Sequence, residues 1–140
     1  MIGSLSASLS GLVASTTRLG ASATNVANLR TTGPVPATPA TQPVPEAAGG
    51  SAQVYQAVQV AQEVVGGGTR AVVTPALPSY REEYDPTDPS AGPDGMMAAP
   101  DVDPGTEVAN QIVARASYGL SLRTLEAGDA MMRSLLDLTT

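Results

Sequence analysis

Apolar and small positions recur through the first part of the chain at alternating intervals of three and four: Ile2, Leu5, Leu9, Leu12, Thr16, Leu19, Ala23 and Val26. This spacing predicts an α-helix with a heptad seam for another helix. Ser, Ala, Thr and Gly fill most positions between, so the helix is slender. Gly11 and Gly20 each weaken it by about 1 kcal/mol relative to Ala. Such a helix is marginal alone and needs partners. The pattern stops at Thr31-Thr32-Gly33-Pro34, where β-branched residues, a glycine and a proline end any helix, bounding an N-terminal axial helix over 1–32.

Residues 33–103 form a Pro/Gly-rich middle. Pro34, Pro36, Pro39, Pro43 and Pro45 predict an extended or disordered linker from Gly33 to Gly50. Val54, Val58 and Val60 lie near period two, and Val64-Val65 lead through Gly66-Gly67-Gly68 into Ala71-Val72-Val73, which predicts at most a small β-hairpin over 52–77. Prolines and carboxylates then make an acidic arm over 80–103 without regular structure. Asp103-Pro104 opens a second helix over 104–140, since Asp caps well and Pro suits the first helical position; Glu107 adds negative charge near the positive end of its dipole. Its stripe runs Val108, Ile112, Ala116, Gly119, Leu122, Leu125, Asp129, Met132 and Leu136, widened by Met131, Leu135 and Leu138. At 1.5 Å per residue this helix is roughly 50 Å long. The expected fold class is mainly α, with long N- and C-terminal helices pairing as a coiled coil.

Composition narrows the function. Hydrophobic residues make up 42% of the chain, but Phe and Trp are absent and Tyr occurs four times, so the bulky side chains that stabilise a globular core are scarce. Cys and His are also absent, which removes disulfides, thiol nucleophiles, the usual zinc sites and the commonest general base. No catalytic constellation is recognisable by spacing, and the chain reads as no enzyme and as needing no cofactor or metal. The net charge of −6 comes largely from Glu82 to Glu107, which holds eight carboxylates and no basic residue, so nucleic acid is not an expected partner; with no catalytic constellation, no small-molecule substrate is expected either. No apolar run is long enough for a transmembrane segment. Ser4, Ser6, Ser8 and Ser10 interrupt any signal-like apolar region, and no basic residue precedes Arg18, so export is expected without a cleaved signal peptide.

Three segments carry a resemblance. Asn25-Val26-Ala27-Asn28, followed by Thr31, is physically a helix C-terminus, with two Asn one turn apart able to reach unpaired backbone groups. It also resembles the N-terminal signature of flagellar axial proteins. Tyr84-Asp85-Pro86-Thr87-Asp88-Pro89-Ser90-Ala91, then Gly95 and Pro100-Asp101-Val102-Asp103-Pro104, resembles the proximal-rod family of the flagellar basal body, the FlgC type. The helix opening from Glu107 through Ile112 to Tyr118 is similar to that family's Ile-x-Ala-x-Arg-x-Tyr pattern, except that the basic residue, Arg115, stands one position early and Ala116 occupies its place.

The resemblance implies a structural subunit of the proximal rod, which polymerises through its terminal helices into a helical tube that crosses the periplasm and transmits torque. It implies partners in other copies of the chain, other rod subunits, the membrane-ring adaptor and the flagellar type III export apparatus. The assembly interface is expected at Leu5, Leu9, Leu12, Leu19, Val26, Val108, Ile112, Tyr118, Leu122, Leu125, Met132 and Leu136, and the axial-protein motif at Asn25, Ala27, Asn28 and Thr31. Two other readings are a soluble export adaptor and an acidic helical binding module. Plainer readings suit the remaining features. Asp85, Asp88 and Asp94 lack the closing Glu of a calcium loop and read as solvated loop acids, Gly66-Gly67-Gly68 lacks the Lys-Ser/Thr of a phosphate loop and reads as a turn, and Met131-Met132 reads as interface packing.

Overall fold

The computed structural model of the chain describes residues 2–45 and 53–137, with side chains from Gly3 onward except Ser4. The linker's last residues, the first of the predicted hairpin, and 138–140, Leu138 among them, lie outside the described residues, as does the Ile2 side chain. Six elements follow in order: α1 (Ile2–Ala27), β1 (Val58–Val65), β2 (Gly68–Pro75), β3 (Arg81–Tyr84), β4 (Met96–Ala99) and α2 (Pro104–Asp137).

The expectation of a mainly α fold is overturned. With 46% helix and 20% strand the fold is mixed α/β, two long helices with two small antiparallel sheets. β1 and β2 pair from Val58 opposite Pro75 to Val65 opposite Gly68. Gly66 and Gly67, at φ 57° and 82°, supply the left-handed two-residue turn that matches strand twist. The acidic arm, expected to lack regular structure, contributes both β3 and β4, which pair from Arg81 opposite Ala99 to Tyr84 opposite Met96. Four-residue strands are too short to show an alternation. The loop joining them is instead fixed by local turns, in which Asp85 accepts the Thr87 amide and hydroxyl and Asp88 accepts the Ser90 amide.

Gly33 adds a bridge to β4: its amide donates to the Ala98 carbonyl at 3.0 Å and its carbonyl accepts the Ala98 amide at 2.9 Å. A Cβ on Gly33 would run into the backbone of Gln53 and Val54, so only glycine fits there. Around this bridge lies the core of Val54, Tyr80 and Ala98, covered by Ala40 and Val44. The proline-rich segment is thereby held down. The Tyr80 hydroxyl donates to Thr38 O at 2.8 Å, and the Ser79 amide and hydroxyl both donate to Ala40 O.

Asp103 caps α2, its Oδ2 accepting the Thr106 amide at 2.8 Å as well as the Thr106 hydroxyl. Those two bonds hold the Asp103 carboxyl below its ordinary pKa. The two helices run antiparallel: Ser22 and Asn25 lie beside Glu107 at one end, and Gly11 faces Ser121 farther along. α1 also packs on the hairpin, where Gly68 comes close to Ala7 and the Thr69 amide donates to Ser10 Oγ at 3.0 Å. α2, with 34 residues against 26 in α1, runs past the start of its partner.

Candidate assembly interface

The stripe of leucines in α1 is not the surface that meets α2. The buried positions of that helix are Ser8, Ala14, Ser15, Ser22 and Asn25, and Gly11 lies against Ser121 of α2 with no room for a Cβ. Ser8, Gly11, Ser15, Ser22 and Asn25 fit a second heptad, interleaved with the leucine one and made of small and polar residues. On α2 the buried positions are Glu107 and Ala114. Burial of hydroxyls is tolerable here because they are satisfied locally: Ser15 Oγ donates to Gly11 O at 2.8 Å, and Ser22 Oγ crosses to Glu107 O at 3.1 Å. Small side chains let the helix backbones approach closely, and the large aliphatic groups are left half-buried or exposed.

The residues expected to form the assembly interface divide accordingly. Leu5, Leu12, Leu19, Leu125 and Met132 are half-buried at the margins of the seam. Leu9, Val26, Val108, Ile112, Tyr118, Leu122 and Leu136 are exposed, with Leu9 at 58%, Ile112 at 63% and Leu136 at 68% of full accessibility. Val13 and Leu120, which the heptad reading left out, are exposed at 59% and 64%; Val13 shares the face of Leu9, while Leu120 lies on the opposite side of α2 from Tyr118 and Leu122. Their signal was available in the Leu9-Val13 and Ala116-Leu120 spacings of four. Isolated exposed leucines are ordinary; rows of them along two long helices are not.

The axial-protein motif also divides. Ala27 and Thr31 are exposed. Asn28 ends α1 in the expected manner: its Nδ2 donates to Thr24 O at 2.9 Å and its Oδ1 accepts the Thr31 hydroxyl at 3.2 Å. Asn25 does not share that task. It is buried, and its amide is fully used: Nδ2 donates to Val58 O at 2.8 Å and to Glu107 Oε1 at 2.6 Å, while Oδ1 accepts the Val58 amide and the Tyr55 hydroxyl, each at 2.9 Å. By pairing with both backbone groups of Val58, the side chain imitates a neighbouring strand at the start of β1. One residue thus fastens α1, β1 and α2 together. Burial, and secondarily the Glu107 carboxylate, raise the pKa of Tyr55 above its ordinary value. Glu107, which the sequence offered as a dipole partner, is the far side of this junction, and Tyr55 had no local pattern to mark it.

Among the described residues no group of three or more His, Cys, Asp or Glu side chains gathers as metal ligands would, and no helix is long and apolar enough to cross a membrane. Set against protein-family models and curated proteins, the chain matches none.

Proposed function

We propose that the chain is a structural subunit of the bacterial flagellar proximal rod, built to be stacked with copies of itself and with other rod subunits. The observation that carries this reading is that small and polar residues take the buried positions of α1, while large aliphatic side chains on both helices, among them Leu9, Val13, Ile112 and Leu136, stay exposed. Each Leu or Ile withdrawn from water contributes about 1.5–3 kcal/mol, so subunits that cover one another's rows gain what the small internal core does not supply. A contact repeated with a rotation that does not close gives a helical tube. The resemblance of Asn25 to Thr31 and of Tyr84 to Glu107 to rod-protein signatures supplies the identity of the tube and its place in the periplasm. Torque transmission asks for a stiff subunit, and the Asn25 junction, which couples both helices to the hairpin, supports that role. No catalysis enters this reading.

The test is biochemical fractionation of the bacterium that makes the protein. A tagged full-length chain is expected in purified hook–basal bodies, and its deletion is expected to leave membrane rings without rods. Retention of the chain in the cytoplasm, bound to one export component, would support the adaptor reading and overturn this one.

A further inference from the structure

Residues two apart in a strand turn their backbone amide and carbonyl to the same edge. Val58, whose amide and carbonyl both meet Asn25, therefore marks the outward set of β1 as Val58, Val60, Gln62 and Val64. Asn25 occupies that edge at Val58 alone. From there α1 crosses the hairpin to the other strand, where Ser10 Oγ accepts the Thr69 amide and Gly68 comes close to Ala7, and α2 does not touch the hairpin. Among the described residues, nothing hydrogen-bonds to the outward amides and carbonyls of Val60, Gln62 and Val64. Beside Val60 the edge opens on a cleft of about 420 Å³, and at the far end Val64 is 90% exposed.

An uncovered edge is a template for another strand, and proteins ordinarily blunt it with lysine, proline or a bulge. β1 carries none of these: its pairing with β2 is unbroken, and Glu63 is its only charged residue. The edge of β2 is blunted, since Ser10 takes the Thr69 amide and Pro75 has no amide hydrogen. The strand of a second copy that fits the β1 edge is thus β1 itself. When the two run antiparallel about Gln62, Val60 faces the partner's Val64, Gln62 faces the partner's Gln62 and Val64 faces the partner's Val60, and each pair exchanges two hydrogen bonds. Ala61 stands opposite the partner's Glu63, so no two carboxylates are directly opposed. Every outward residue that Asn25 leaves free is matched. Sliding the partner by two residues in either direction leaves one of the three without its match, and in one direction sets Glu63 against the partner's Glu63.

We propose that two copies of the chain pair through the β1 edge in this register, joining two hairpins into one four-stranded antiparallel sheet. A hairpin of two strands is marginal alone, and a sheet of four is not. The contact is two-fold and closes on itself, so it does not build a tube and does not rest on the rod reading.

The chain has no cysteine, so a single introduced thiol reports the register. In the pair the two copies of residue 62 are about 5.5 Å apart at Cα, within disulfide reach, whereas those of residue 64 are roughly 14 Å apart. On oxidation, full-length Gln62→Cys is expected to form a disulfide-linked dimer at least about tenfold faster than Val64→Cys, although position 64 is almost fully exposed. Gln62→Pro removes one outward amide and spares the bonds to β2; it is expected to weaken dimerisation at least about tenfold in sedimentation equilibrium, with helicity unchanged by circular dichroism. Both results should persist alongside Ile112→Asp, which acts on the helix rows. Equal linkage at the two positions, wild-type dimerisation in Gln62→Pro, or loss of the linkage with Ile112→Asp would each overturn the pairing. A chain that stays monomeric leaves the edge to a strand of another protein and overturns it as well.

Discussion

Asn25 and Asn28 are one helical turn apart and chemically identical, yet they do unrelated work. Asn28 ties off a helix end at the surface, where water can replace either of its bonds. Asn25 is enclosed, so its replacement by Ala leaves the Val58 amide and carbonyl, the Tyr55 hydroxyl and the Glu107 carboxylate without a partner at once. Asn25→Ala is expected to destabilise the protein by about 3–5 kcal/mol, and Asn28→Ala by about 1 kcal/mol, measured by urea unfolding. The Tyr55 hydroxyl adds a pH dependence. Its pKa is raised in the folded state, so folding favours the neutral phenol. The stabilisation is complete below the unfolded pKa near 10.0 and is lost as pH rises through the higher folded value. Alkaline titration of the unfolding midpoint should show this loss in the wild type and not in Tyr55→Phe.

At the scale of elements, the chain announces its breaks more clearly than its contacts. Thr31-Thr32-Gly33-Pro34 and Asp103-Pro104 mark where helices stop and start because caps and prolines act locally, and the Asp103–Thr106 bonds are that local chemistry made visible. The glycine turn between β1 and β2 is of the same kind. What periodicity could not reveal is which of two interleaved heptads faces inward, since a hydrophobic pattern weights Leu above Ser while the choice here was made by how closely two backbones can approach. Nor could it reveal β3 and β4, whose strands are too short to alternate, or the bridge that Gly33 adds to Ala98 from far away in sequence. The two faces of α2 should therefore respond in opposite ways. Ala114→Leu, which overpacks the seam, is expected to cost about 1–3 kcal/mol of monomer stability. Ile112→Asp should change that stability by less than about 0.5 kcal/mol. It should nevertheless abolish assembly, as seen by thermal unfolding and sedimentation of the same samples.

For the molecule as a whole, the packing is uneven along its length. The core of Val54, Tyr80 and Ala98 and the Asn25 junction lie toward the end where α1 finishes and α2 begins. Away from it the helices meet through Gly11 and Ser121, the hairpin braces α1 at Ala7 and Ser10 but does not touch α2, and the last turns of α2 extend beyond α1 altogether. Small residues interlock shallowly, so this half of the pair resists separation less than the other. The subunit is thus a zipper fastened at one end. In the free protein, backbone amides near Ser22 and Gln111 should exchange with deuterium last, and those near Met132 first, because opening proceeds from the end of α2 that the hairpin does not support. Within a polymer, neighbours lying against the aliphatic rows would hold that end shut, and the gradient of exchange would flatten into uniform protection.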